Sequence, residues 1–236
     1  MTTSTTSTTS DYHEYPKTLP PDDFWGQVRR TVNGQPVPAE QIDLIVQAVC
    51  DLLELGAEDD LLDVACGNGA LTNLLAPACR NVVGVDHSEY LVDVARRNFE
   101  DAPRVTFTLG DAADSAEHEP LPERFTKVLC YGSFSFFPDA TARRWLATLA
   151  RRFSGVQYVL LGNLPDRDRA PAFYGDRAGW QASLEDPDAP IGIWRSADEV
   201  TALAAACGWH AHLSVMPPPY YARHYRFDAL LERAAS

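Results

Sequence analysis

The sequence predicts an α/β fold built on a mainly parallel sheet. Three observations lead there. Helix-like and strand-like patterns alternate along the chain, the order that lays helices over a parallel sheet. The run Leu61-Leu62-Asp63-Val64-Ala65 carries apolar residues on both faces, as a strand inside a covered sheet does. Gly67 and Gly69 follow it, removing Cβ atoms where the chain must turn sharply and approach a ligand.

The elements follow in order. Pro38 opens a helix to about Leu55, with Ile42, Ile45, Val49 and Leu52 on one face and Gly56 at its C-cap. Leu61–Ala65 is the first strand. The next helix places Leu71, Leu74 and Leu75 at core spacing and stops at Pro77. Val82-Val83-Gly84-Val85-Asp86 is the second strand, ending in a carboxylate. Tyr90–Phe99 is helical, Val105–Leu109 is the third strand and Phe125–Tyr131 the fourth. Asp139 caps a helix carrying Trp145, Leu146 and Leu149, and Val156–Gly162 is the fifth strand. A long connection from Asn163 to Arg195 is rich in Pro, Asp and Arg, the kind of length associated with lids and binding loops. Ser196-Ala197-Asp198-Glu199 is a capping box that opens a helix with Val200, Leu203 and Ala204. Trp209–Val215 and His224–Leu231 are two closing strands across the Pro217-Pro218-Pro219 corner.

Asp86 lies about 17 residues beyond Gly69, near the spacing of roughly 20 at which a second-strand acid receives ribose hydroxyls. The first βα unit therefore carries the parts of a nucleoside site. A dinucleotide fingerprint needs a small residue three places after the second glycine, where this chain has Thr72. Asp63 precedes the turn, and no Lys or Arg stands between Asp63 and Ala78 to meet a phosphate. That charge pattern suits a cationic cofactor without phosphates.

The run Asp63-Val64-Ala65-Cys66-Gly67-Asn68-Gly69 closely resembles motif I of the class I S-adenosylmethionine (SAM)-dependent methyltransferases. Gly110-Asp111-Ala112, after the third strand, resembles their adenine-binding motif. The resemblance covers roughly residues 38–232 and implies a Rossmann-like, seven-stranded, mainly parallel sheet with an antiparallel last strand and helices on both faces. It implies SAM as cofactor. The turn formed by Cys66, Gly67, Asn68 and Gly69 would cradle its methionine and ribose parts, with Asp63 beside it. Asp86 would accept the ribose hydroxyls, Asp111 the adenine amino group, and the Ala112 amide would donate to a ring nitrogen. His87 and Leu109 are placed to sandwich the adenine.

On the acceptor side the fourth strand exits into Cys130-Tyr131-Gly132-Ser133-Phe134-Ser135-Phe136-Phe137. Tyr131 and Ser133 are the candidate catalytic groups there, with Tyr131 also near the cofactor. Phe134, Phe136 and Phe137 are either core wedges or faces for the sulfonium. This segment does not match the Asn/Asp-Pro-Pro-Tyr type of motif typical of methyltransferases acting on nucleic-acid bases, which favours a small-molecule acceptor. A base for a hydroxyl acceptor has candidates in His13, His210, His212 and His224, of which His224, beside Tyr220, Tyr221 and Tyr225, is the one retained. Trp25, Arg30, Tyr174 and Tyr221 are the candidate substrate contacts. Arg29 or Arg30 would hold a carboxylate of cofactor or acceptor, and Arg167 and Arg169 are either lid or solvated loop.

Composition bounds the rest. The chain has 236 residues, 45% of them hydrophobic, enough for one core and a single domain. The expected organisation is a disordered Thr/Ser tail over residues 1–11, an N-terminal lid segment over 12–37, and a SAM-binding domain over 38–236 that includes a substrate-side connection at 163–195. The tail has neither the basic nor the apolar region of a secretory signal. No apolar run reaches the roughly 18 residues of a membrane span. A net charge of −13 argues against a nucleic-acid partner and slightly favours a basic amine acceptor. Five cysteines without a CxxC pair point to reduced thiols, a cytoplasmic setting and no metal site. The expected function is methyl transfer to O, N or C of a small molecule, plausibly a specialised metabolite, in a bacterial monomer or homodimer. The alternatives are an NAD(P)-dependent oxidoreductase on the same fold and a non-catalytic SAM-binding protein.

Overall fold

The computed structural model of the chain describes residues 14–32 and 34–234. The expected tail over 1–11, and His13, lie outside them. Seven strands form one sheet: β1 (Asp60–Val64), β2 (Asn81–Asp86), β3 (Val105–Leu109), β4 (Lys127–Tyr131), β5 (Tyr158–Pro165), β6 (Trp209–Ser214) and β7 (Arg226–Arg233). Their order across the sheet is β3-β2-β1-β4-β5-β7-β6. The first five run parallel, and β7 lies antiparallel between β5 and β6. The Rossmann-like sheet with an antiparallel last strand is present as expected.

Strand alternation divides the core into two layers. Leu61, Leu129 and Leu160 face one side, where Ile42, Ile45 and Val49 of α1 (Ala39–Leu53), Leu71 and Leu75 of α2 (Ala70–Leu75) and Val92 and Ala95 of α3 (Glu89–Phe99) cover them. Leu62, Val128 and Leu161 face the other side, against Ala113 of α4 (Ala112–His118), Trp145, Leu146 and Leu149 of α5 (Asp139–Arg152) and Leu203 of α6 (Ala197–Ala206). A strand flanked by helices on both faces can be apolar at every position, and β1 is buried throughout. The order reverses between β1 and β4, and ligands of open α/β sheets bind at such a switch point, outside the carboxyl ends of the strands.

Several boundaries differ from the sequence expectation for local reasons. The first helix ends before Gly56: Glu54 takes the left-handed C-cap position at φ 51°, and its amide bonds back to Cys50 and Asp51. Asp139 lies inside α5, whose N-cap is Pro138. The capping box at Ser196 forms with both of its bonds. The fifth strand runs on to Pro165 through a bulge between Leu161 and Leu164, with Asn163 at φ 61°. The connection after it is not open coil. It holds a short helix at Ala170–Tyr174 and is pinned by Arg195, which donates to Asp139 and to the Phe137 carbonyl. No helix among the described residues is long and apolar enough to cross a membrane.

Trp145 is fully buried against Phe134 and Phe137, and its indole N–H has no hydrogen-bond partner among the described residues. Its contribution is therefore packing alone. Trp145→Ala should lower unfolding free energy by about 3–5 kcal/mol, whereas Trp145→Phe, which abandons no hydrogen bond, should cost less than about 1.5 kcal/mol. Urea unfolding of the two variants measures the difference.

Candidate active site

The site begins with how β1 turns. Ala65, Gly67 and Gly69 all have positive φ (56°, 60° and 76°), so the chain leaves the strand through three left-handed residues within five positions. At Gly67 a Cβ would come within 2.8 Å of Val28, and at Gly69 within 2.7 Å of the Phe107 ring. Gly69 thus provides the close helix–strand approach that the dinucleotide fingerprint assigns to its third small residue. Thr72, at that third position, is fully buried, and its hydroxyl donates to Asp63 Oδ2 at 2.6 Å.

Asp86 closes the turn. Its Oδ2 accepts the Gly67 N–H at 2.8 Å and its Oδ1 accepts the Ser88 N–H at 2.8 Å. Each oxygen keeps a further lone pair, and the carboxylate lines a cavity of about 720 Å³, within the roughly 300–1,000 Å³ of small-molecule sites. Asp63, Cys66, Gly67, Asn68, His87, Asp111, Tyr131 and Ser133 line the same cavity, as do Trp25, Arg30 and Tyr221. Most of the sequence-predicted residues are therefore brought together.

Their chemistry differs in detail from the expectation. The Asn68 amide is committed to the N-terminal segment, donating to the Phe24 carbonyl at 2.8 Å and to Gln27 Oε1 at 2.9 Å. Gln27, itself fully buried, donates on to the Pro20 carbonyl at 3.1 Å. Asp111 Oδ1 caps α4 by accepting from the Ala113 and Asp114 amides, and the residue lines the cavity. Burial and the Asp86 and Asp63 carboxylates push the Cys66 thiol well up, so it stays protonated, and the Cys130 thiol is raised for the same reasons. Desolvation, with Asp86 adding to it, pushes Asp63 up to about 7, against the opposing Thr72 bond and the Arg30 charge.

Several expectations fall elsewhere. Gly69 and Ala112 do not line the cavity; Gly69 packs on Phe107, and Ala112 opens α4. Tyr174 stacks on Trp180 at 5.1 Å, and its neighbour Phe173 reaches the cavity instead. His224 is exposed and turns edge-on to Tyr225 at 4.8 Å, outside the cavity. Leu109 is 46% exposed at the end of β3. His210 and His212 lie on the outer face of edge strand β6. Arg167 pairs with Glu199 at 3.0 Å and Arg169 with Asp166 at 3.1 Å, so both belong to the loop's own packing. Phe134 is a core wedge, whereas Phe136 and Phe137 reach the cavity.

Residues 61–154 match a family model described as a methyltransferase domain. An uncharacterized methyltransferase of Schizosaccharomyces pombe is 37% identical over 76 residues, 32% of this chain and 27% of that one. The ribosomal RNA small subunit methyltransferase A of Geobacter metallireducens is 37% identical over 67 residues, 28% of this chain and 24% of that one. A ubiquinone biosynthesis O-methyltransferase of Coxiella burnetii is 29% identical over 120 residues, 43% of this chain and 48% of that one. The matched stretches thus span less than half of these relatives' own lengths. Among solved structures, the SAM-bound magnesium protoporphyrin IX methyltransferase of Synechocystis PCC 6803 shares the fold, with a TM-score of 0.60 over 99% of this chain and 100% of that one at 16% identity. Residues 61–154 thus match a methyltransferase domain, and the chain has the fold of SAM-dependent methyltransferases.

The second half of the cavity comes from the 163–195 connection, expected on the substrate side, and from the start of β7, whose Arg226 the sequence did not single out. Asn163, Phe173, Pro190, Ile191, Tyr225 and Arg226 line it. Asn163 is held by three bonds: its N–H donates to Asp228 Oδ1 at 2.6 Å, its Oδ1 accepts from the Tyr220 hydroxyl at 3.0 Å, and its carbonyl accepts from Arg226. The only signal in the sequence was an Asn at the end of a predicted strand. Its left-handed backbone, which Asn tolerates better than most residues, is visible only in the structure.

Asp63 makes stability depend on pH in a defined direction. Its folded pKa lies above the unfolded value of about 3.9, so the native chain binds more protons than the unfolded chain between about pH 4 and 7. Stability contributed at this site falls as pH rises through that window. Asp63→Asn, which keeps an acceptor for Thr72, should remove the loss. Denaturant midpoints at pH 5 and pH 8 should show the parent losing on the order of a few kcal/mol relative to the variant.

Proposed function

We propose that the chain is an enzyme that moves the methyl group of SAM to an oxygen, nitrogen or carbon of a small molecule. The observation that carries this reading is the charge pattern around the Gly67 turn. Asp63 and Arg30 act on each other electrostatically and both line the cavity, next to the diol-accepting carboxylate Asp86. A free amino acid end needs one anion and one cation, and a ribose needs a two-oxygen acceptor. Arg30 suits the carboxylate role in particular, because its Nη1 is buried without a hydrogen-bond partner among the described residues.

When bound, SAM supplies an electrophilic methyl on a sulfonium, which the acceptor's electron pair takes in line, leaving a neutral thioether and releasing the acceptor's proton where it has one. The chain's part is to align the partners and exclude water. Tyr131 ends β4 at the cavity, and the Arg30 guanidinium lies 4.9 Å from its ring centre. Burial pushes its phenol up, so it stays neutral and acts as a hydrogen-bonding group beside Ser133 rather than as a base. The described part of the 12–37 segment, fastened by Asn68, serves as a lid over the cofactor half. The 163–195 connection walls the acceptor half.

A small acceptor is favoured over a polynucleotide by the net charge of −13, which repels phosphates, and by the aromatic lining of the acceptor half. Five unpaired cysteines suit a reducing cytoplasm.

Calorimetric titration with SAM, S-adenosylhomocysteine and NAD tests the reading. Both sulfur nucleosides should bind and NAD should not; NAD binding without SAM binding would install the oxidoreductase in its place. Asp86→Asn should weaken SAM by about 10–100-fold, the value of one charged hydrogen bond, with an unchanged circular dichroism spectrum. Equal affinity in the folded variant would remove the ribose assignment.

A further inference from the structure

Charges of both signs line the cavity: Arg29 and Arg30 besides Arg226, and Asp188 besides the carboxylates at the strand ends. The ends of β1, β2 and the β3–α4 junction bring Asp63, Asp86 and Asp111 to one half. The other half, at the start of β7, presents Arg226. This guanidinium makes no ion pair with a carboxylate of any described residue. Its Nη1 donates to the Asn163 carbonyl, and it lies 4.9 Å from the centre of the Tyr225 ring. The acid two positions along the strand, Asp228, is 2% exposed and gives its Oδ1 to the Asn163 amide. Several other arginines of this acidic chain do have acidic partners: Arg80 with Asp60, Arg144 with Asp114, Arg151 with Glu117, Arg167 with Glu199 and Arg195 with Asp139. Asp228 and Tyr225 act on this guanidinium electrostatically, but no carboxylate is in ion-pair contact with it, and its forked donors match an oxyanion.

The surroundings specify the rest of the ligand. Phe173, Tyr221 and Tyr225 line this half, with Ile191 and Pro190 on the facing loop. Phe173 and Tyr225 stand 4.6 Å apart, a wall suited to a flat apolar body. The Tyr221 amide is fixed by Gln41 Oε1 at 2.9 Å, and Gln41 also donates to the Pro219 carbonyl at 3.0 Å, so α1 holds this wall in place.

We propose that the methyl acceptor is a flat small molecule bearing an oxyanion, a carboxylate or a phosphate, which Arg226 receives. The inference rests on the methyltransferase reading and deepens it. It also reverses the preference for a basic amine that net charge alone suggests, because Arg226 repels a cation where the acceptor must sit.

The test uses the full chain saturated with S-adenosylhomocysteine and three probes that share one ring: benzoate, phenyl phosphate and benzamide. At least one anion should bind about tenfold or more tighter than the neutral amide, the usual margin of a charged over a neutral partner for a guanidinium. Which anion leads distinguishes carboxylate from phosphate. Arg226→Met should erase the preference while leaving S-adenosylhomocysteine affinity unchanged, and Arg226→Lys should keep part of it. The proposal is overturned if benzamide matches both anions, if no probe binds at millimolar concentration, or if the preference survives in Arg226→Met. Should the Met variant fail to fold, the parent's ranking of the three probes decides alone. Failure of S-adenosylhomocysteine to bind brings down the methyltransferase reading itself, and is distinct from loss of anion preference in a chain that binds it.

Discussion

The site depends on the two backbone bonds accepted by Asp86. One comes from Gly67, in the turn after β1, and the other from Ser88, at the N-cap of α3. A single buried carboxylate therefore sets the distance between the first two βα units at the end of the sheet where ligands bind. Its position follows from the parallel pairing of β1 with β2, which places Val64 beside Val85 and brings Asp86 level with the turn. The Gly110 amide bonds to the Asp86 carbonyl at 2.9 Å, so the third unit is tied to the same residue. The carboxylate organises three loops and also lines the cavity, and the two amides fix its orientation there.

The same economy recurs at Thr72 and Asn68. Thr72 is the residue that departs from a dinucleotide fingerprint, and its hydroxyl satisfies Asp63, a carboxyl that is 3% exposed. A small apolar residue at that place would leave Asp63 without its donor. Asn68 sits in the glycine turn but spends its amide on Phe24 and Gln27. The N-terminal segment is consequently part of the cofactor half, and the Val28 side chain stands where a Cβ on Gly67 would be.

Legibility from the sequence followed the range of the interactions involved. The sheet, its helices and the Gly67–Asp86–Asp111 series were readable because each rests on local pattern: apolar runs, glycines before a helix, an acid at a strand end. Boundaries slipped where tertiary contacts override local preference. Glu54 accepts a left-handed cap that Gly56 would occupy more easily, and β5 extends past Gly162 because β7 pairs with it on the far side of a bulge. The acceptor half was largely illegible. Phe173 rather than Tyr174 reaches the cavity because the short helix at Ala170–Tyr174 turns Tyr174 onto Trp180. Asn163 and Arg226 meet only because an antiparallel strand from the end of the chain returns beside β5, and no spacing in the sequence announces that pairing.

That returning strand links fold to specificity. The five parallel strands can build a cofactor site alone, since Asp63, Asp86 and Asp111 all come from the first three βα units. Across the switch point, β5 has a parallel neighbour on one side only, β4. Here the chain closes the sheet with β7, and the register that pairs Leu164 with Phe227 and Pro165 with Arg226 brings a cation beside Asn163 at the rim. Asp228, pushed up to about 6 by burial, and moderated by the Asn163 amide and Arg226, holds the bulge from below while leaving the guanidinium to the cavity. The strand that carries Arg226 and the connection after β5 are thus separate from the β1–β2 unit that Asp86 ties together.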